Sequence, residues 1–451
     1  MAPEALERIR SFVLEKASRT RLPSVVLAAT RGGEASFMSV GFRDAGRALP
    51  AGPDTLYGVG SVTKSFTSLA LLKLEEQGLL SLEDPVGKYV PLDLRVKGEP
   101  VRLWHLMTHT SGIPALAYAE ALIRGLEGEA EAWLPVASPE DVLAILSGAG
   151  DWAEARPGER FFYLNEGYVL LGRVIERVSG RAYRDYVEEE ILRPLGMARS
   201  TFRREVVESD GDVAKPYLLA GDGLEEGRFP WGVEADGGLW SCARDLARYL
   251  DFLIRGEPRL VSRERLAEAF RPRVRAPWSV YGDESYGYGW IITERFYGGR
   301  LVSHGGSVLV YTAWVGFQPE KGVGVAVLAN GSGYPLSNLG MYALAVLLGE
   351  DPLEIPSLRV GELLDRLSGD YAGFRGFFKA RVKRLGYVLL LEMGGKYSAV
   401  TVPLFYEKSE GGRHYFYTGA GGMKTYAEFR EEGGRVVLLY ERYKFVKQYS
   451  P

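Results

Sequence analysis

The sequence is poor in several side chains. It has one cysteine, Cys242, in 451 residues. A lone cysteine excludes an internal disulfide framework and gives no hint of an oxidising compartment. There are three asparagines (Asn165, Asn330, Asn338), three glutamines (Gln77, Gln318, Gln448) and four histidines. Lysine is also scarce, with 14 of the 55 basic residues. Depletion of heat-labile amides fits a thermophilic source, and a GC-rich genome accounts equally well for the arginine excess. The first residues, "MAPEALERIRSFVLEKASR", read as an amphipathic helix without a long apolar run, so neither a signal peptide nor a membrane anchor is expected. A net charge of -3 carries no electrostatic footprint for nucleic acid or an anionic membrane. A cytoplasmic location is the default expectation.

What is present describes a globular enzyme-sized chain. Composition is 46% hydrophobic and 25% charged, and the length calls for two or three domains. "SVVLAATRGGEASFMSVGFRDAG" alternates around Gly32-Gly33 and predicts a hairpin. From Ser61 the apolar spacing predicts a helix that stops at Gly78, and "GYVLLGRVIERVSG" predicts another that ends at Gly180. "GRLVSHGGSVLVYTAWVGFQPEKGVGVAVLANGS" returns to strands, with turns expected at Gly305-Gly306 and Pro319. Strands at both ends with helices between predict an α/β (α+β) domain over 1–350, with one mixed sheet and a helical subdomain. "EDPLEIPS" reads as a proline-marked linker. Beyond it, 357–451 is rich in aromatic and β-branched short runs with glycine turns, which predicts a small all-β sandwich or barrel.

The stretch "YGVGSVTKSF" from Tyr57 to Phe66 admits two chemistries. A phosphate loop needs glycine directly before its lysine, and Thr63 stands there. The better reading pairs Ser61 with Lys64, which share a face at i and i+3 near a helix N-terminus. The lysine then serves as base if its charged form is disfavoured. Alone, the spacing describes many solvated helix starts. Its company sharpens it: Tyr163 and Asn165 precede a helix, and His304, Gly305 and Gly306 border an apolar strand. His105 and His109 have the four-residue spacing of a helical zinc pair, but no glutamate follows His105, and no metal is expected. Trp104, Trp152, Trp231, Trp240 and Tyr311 are candidates to line a pocket or fill the core.

These motifs resemble those of the beta-lactamase-related serine hydrolases, the group of class C beta-lactamases, penicillin-binding proteins, esterases and D-amino-acid peptidases. "SLEDPVGKYVP", "LMTHTSGIP", "ILRPLGMARSTF", "GGLWSCARDLARYL" and "YGYGW" follow in the family's order over the first 350 residues. The tail resembles the lipocalin-like domain of some archaeal and bacterial members. The resemblance implies a beta-lactamase/transpeptidase-like antiparallel sheet flanked by helices, then a barrel. It makes Ser61 the nucleophile, with Lys64 and Tyr163 as shared proton-transfer partners. Asn165 would hold a substrate amide, and His304, Gly305 and Gly306 would line the facing wall. The backbone N–H groups of Ser61 and Ser307 would form the oxyanion hole. No cofactor is implied. The expected partners are a small peptide, amide or ester substrate and further copies of the chain through the C-terminal domain. The alternatives are a carboxylesterase with the same residues, or an acyl sensor that does not turn over. His-Gly-Gly lacks the lysine and hydroxyl that grip a carboxylate in penicillin-cleaving relatives, which speaks against beta-lactams. Leu164 replaces a small residue and is expected to narrow the site.

Overall fold

The Gly32-Gly33 turn places both glycines at positive φ, 60° and 88°, as a two-residue hairpin requires. It joins strand β1 (Ser24–Arg31) to β2 (Glu34–Asp44), and β3 (Leu49–Pro50) closes that edge. The chain returns to the same sheet much later, through β4 (Val274–Arg275), β5 (Glu284–Tyr286), β6 (Ile291–Phe296), β7 (Gly299–Ser307), β8 (Thr312–Gln318) and β9 (Val323–Ala329). This computed structural model describes residues 3–126, 128, 138–220, 223–232, 234–278, 283–394, 398–420 and 422–449. The nine strands lie in the order β4-β5-β6-β7-β8-β9-β1-β2-β3. Every neighbouring pair is antiparallel, so the sheet is not mixed; the strands from β5 to β9 are joined by short turns, which permit only antiparallel pairing.

Alternation sorts the strands' two faces. Val26, Ala28, Ala326 and Leu328 join one large core with Phe66 and Leu250, which come from helices α1 (Thr63–Glu76) and α2 (Ala243–Arg255). On the opposite face Trp314 packs against Gly340 of helix Leu336–Leu348, where a Cβ would meet the indole at 2.1 Å. The N-terminal helix Pro3–Thr20 packs on that helix, with Phe12 stacked on Tyr342. Helix α1 stops before Gly78 at φ 71°, and the helix Asn165–Ser179 stops at Gly180 at φ 69°, as their sequences predict.

The described structure divides into two compact units, 1–351 and 352–451. The second does not open as a linker followed by strands. A helix spans Pro356–Leu367, with its proline in the first turn and Leu363, Leu364 and Leu367 buried, so a boundary at 357 cuts into a helix. The proline marks a helix start, which the linker reading missed. Eight strands from Gly369–Ala372 to Tyr443–Lys447 then run up and down in chain order and close into a barrel. Leu389, Leu391, Leu404, Phe416, Phe429 and Phe445 form one buried cluster with the helix's leucines. Among the described residues no helix is long and apolar enough to cross a membrane.

Candidate active site

Ser61 sits in a 3-10 turn, Gly60–Val62, that runs directly into α1. One helical turn on, Lys64 is fully buried. Its Nζ lies 3.0 Å from Ser61 Oγ, 2.7 Å from Asn165 Oδ1 and 2.7 Å from the main-chain oxygen of Asp236. Three oxygens surround this nitrogen, and the rings of Tyr163 and Tyr168 lie 5.0 and 5.4 Å from it. With Asn165 Oδ1 given to Lys64, the amide NH2 remains to donate to a ligand.

The facing wall is the end of β7. Sequence analysis placed a turn at Gly305-Gly306, but both are strand residues, paired with Trp314 and Ala313. They are glycine because the strand meets the serine turn backbone to backbone. A Cβ on Gly306 would lie 1.9 Å from Val59 O and 3.0 Å from Ser61 N, and one on Gly60 would lie 2.8 Å from Ser307 N. Gly60 also holds φ 52°, open to glycine at little cost. The main chains at Ser61 and Ser307 are thereby brought close together.

His304 offers no free nitrogen to this wall. Its ring is buried, with Nδ1 2.7 Å from Gly305 O and Nε2 2.8 Å from Tyr286 Oη. The carbonyl can only accept, so Nδ1 carries the proton and Nε2 accepts from the tyrosine. Burial first, and the Lys64 charge second, pull its pKa down to about 3, so the ring is neutral. His109 is neutral for the same reasons. Its Nδ1 accepts from Leu164 N at 3.0 Å, so Nε2 holds the proton, and that nitrogen has no partner among the described residues. The ring lies 4.1 Å from Tyr163 and 5.0 Å from Tyr286. His105 and His109 are not a helical pair. The helix ends at Met107, His109 turns to φ 58°, and His105 Nδ1 accepts from Arg102 N at 2.9 Å.

Ser61 stands between two cavities. A wide cleft of about 580 Å³ runs past Tyr163, Trp278, Gly305 and Trp314. A narrow pocket of about 60 Å³ lies on the Asn165 side, against Tyr118, Asp236 and Val308. Leu164 narrows neither; it is 1% exposed and packs in the core. Trp231, Trp240 and Tyr311 line a separate cavity, and Trp152 is 64% exposed. Sequence reasoning missed Asp236, whose one signal is a carboxylate directly before the Gly237-Gly238 pair, and Tyr118, which no motif marks. The Asp236 carboxylate accepts from Tyr118 Oη, and burial raises its pKa. Glu166 is buried beside them, accepts from Tyr118 N at 3.1 Å, and is likewise raised by burial.

Residues 9–350 match the beta-lactamase family, and residues 352–446 match the Pab87 octamerisation domain. The chain belongs to the beta-lactamase and penicillin-binding-protein-like family of serine hydrolases. It is similar to the octameric penicillin-binding protein homologue from Pyrococcus abyssi, with 46% identity, a TM-score of 0.94, and coverage of 98% of this chain and 100% of that one. It is similar also to a D-stereospecific amidohydrolase from Streptomyces sp., at 26% identity and a TM-score of 0.64 over 76% of this chain and 99% of that one. Protein flp from Staphylococcus aureus is 28% identical over 301 residues, 64% of this chain; the chain spans 56% of that protein's length.

Proposed function

We propose that the chain hydrolyses small amides or peptides, those with D-residues included, through an acyl-enzyme on Ser61. The observation that carries this is the fully buried Lys64 nitrogen 3.0 Å from Ser61 Oγ. As Ser61 Oγ attacks the carbonyl carbon, its proton passes to Lys64. The lysine acts as the free amine, with its two N–H bonds held by Asn165 Oδ1 and Asp236 O. From there the proton passes through Tyr163 to the leaving group. The oxyanion forms between the N–H groups of Ser61 and Ser307. Donors of that kind are worth about 3–4 kcal/mol of barrier each. Neither His109 nor His304 can replace the base, because the lone pair of each ring already accepts, from Leu164 N and from Tyr286 Oη. Tyr163 lines the wide cleft, so it stands where a leaving group can take up the proton. Water then releases the acyl group from Ser61. Gly305 has no side chain to hold a carboxylate, so penicillins are poor substrates. Similarity to the Streptomyces amidohydrolase favours amides over esters.

Assembly through residues 352–451 belongs to the same proposal. It is supported by the match to an octamerisation domain and by the exposure of Phe374 and Phe377 at 75% and 82%. The test of the chemistry is a panel of L- and D-residue peptides, short esters and a beta-lactam, run on wild type and Ser61→Ala. Ser61→Ala should lose all turnover and all labelling by a fluorophosphonate. A label found on another serine by mass spectrometry overturns the mechanism.

A further inference from the structure

The "LMTHTSGIP" stretch, 106–114, is the bed on which the loop carrying Tyr163 lies. Main-chain hydrogen bonds join the two in succession. Glu154 N donates to Gly112 O at 2.9 Å, Gly158 N to Thr110 O at 2.7 Å and Phe162 N to His109 O at 2.8 Å. The next bond in the series leaves the main chain: Leu164 N donates to the side chain of His109, at Nδ1, over 3.0 Å. One residue thus holds the N–H groups on both sides of Tyr163.

The backbone of His109 is bent for this. It sits at φ 58°, just beyond the end of the helix Leu103–Met107. Apart from glycine, that region is entered most readily by asparagine, aspartate and histidine. The ring is buried and lies 4.1 Å from the Tyr163 ring, tilted by 32°. Tyr163 in turn has its ring 5.0 Å from the Lys64 nitrogen. The two nitrogens of the imidazole fare differently. Nδ1 is paired, whereas Nε2, which carries the proton, is buried with no partner among the described residues. A side chain needed only to fill this space would be leucine or phenylalanine, which bury no donor. The nitrogen that bonds is the one turned to the Tyr163 loop. Without it the Leu164 N–H would be buried unpaired. Leu164 stands between Tyr163 and Asn165, and Asn165 Oδ1 is 2.7 Å from Lys64 Nζ. A shift of residues 162–164 therefore moves the phenol relative to the amine.

We infer that His109 is a positioning residue for Tyr163: by holding Phe162 N and Leu164 N it fixes the phenol where it can exchange a proton with Lys64. This rests on the reading of Tyr163 as a proton carrier. Asparagine places its side-chain oxygen where Nδ1 lies and tolerates the same φ, whereas glutamine carries its oxygen further out, where Nε2 lies. Full-length His109→Asn and His109→Gln are compared with wild type for kcat and KM on an activated ester, per Ser61 labelled to completion by a fluorophosphonate. His109→Gln should lose at least ~10-fold in kcat with KM little changed, since misplacement by ~1 Å can cost ~100-fold. His109→Asn should recover most of that loss. In the Tyr163→Phe background His109→Gln should cost nothing further, because the group it positions is gone. Equal kcat for the asparagine and glutamine variants overturns the inference, and so does a full second loss in the Tyr163→Phe background. A histidine that serves stability alone would lower the melting temperature and leave kcat per labelled serine unchanged, which overturns it too. A folded His109→Asn that loses as much kcat as Tyr163→Phe does so without any need for the glutamine variant. Full activity in Tyr163→Phe removes Tyr163 from the reaction and the inference with it. An inactive Tyr163→Phe beside a fully active His109→Gln overturns the inference alone.

Discussion

Lys64 is buried without a counter-charge in hydrogen-bond contact; each of its three oxygen partners is neutral. A group so held acts through position, and substitution removes position and proton together. Lys64→Ala and Tyr163→Phe should each keep the fold, by circular dichroism, and lose at least ~100-fold in kcat/KM on an activated ester. Lys64→Arg should not rescue, because a planar fork cannot reproduce three diverging bonds from one nitrogen. His304 gives a prediction of a different kind. Its folded pKa is about 3 against an ordinary 6.5, so between those values the unfolded chain binds the proton and the folded chain does not. Stability from this group is full above pH 6.5 and is lost as pH falls, at up to about 1.4 kcal/mol per pH unit. Urea unfolding of wild type and His304→Asn at pH 7, 5.5 and 4 should show the wild type losing more on acidification. A parallel decline refutes the assignment.

At the scale of elements, the serine turn and the end of β7 are fitted by the absence of two methyl groups. Gly306→Ala would drive a Cβ to within 1.9 Å of Val59 O, a main-chain atom that cannot swing aside. Separating the two N–H donors should cost about 10²–10³ in kcat, with Lys64 and Asn165 still in place; unchanged kcat in the alanine variant would show that Ser307 is not a donor. This contact also explains where sequence reading stops. The helix after Ser61, the Gly32-Gly33 hairpin and the glycine stops at 78 and 180 were legible because periodicity and positive φ are local properties. Gly305-Gly306 was misread as a turn because glycine marks close approach as well as bending, and a partner 245 positions away (306 − 61) leaves no local trace. Asp236 was missed for the same reason: its meaning comes from Lys64 and Tyr118, each more than a hundred residues distant. Leu164 was misplaced because strand or loop direction, not side-chain size, decides what faces a cleft.

At the scale of the whole molecule, the change of composition after residue 350 announced a second unit, while the helix Pro356–Leu367 hid behind Pro352 and Pro356. Removing the barrel should separate chemistry from assembly. A chain ended at Asp351 should keep Ser61 reactive toward a small ester, since Lys64, Asn165 and Asp236 lie with Ser61 in 1–351. Light scattering should then report a smaller assembly than the full chain gives, and cleavage of peptides of graded length should extend to longer ones. Unchanged mass and unchanged length preference would leave the barrel without a role in either.

The backbone contact between Gly60 and β7 has one more consequence. A donor carried on a side chain must find one rotamer among several at each encounter. The two donors proposed here are peptide groups, and what spaces them is the touching of peptide to peptide. The entropy of arranging them is spent once, when the chain folds. Warming the protein populates no alternative rotamer for this part of the site, so its geometry persists until the sheet itself gives way.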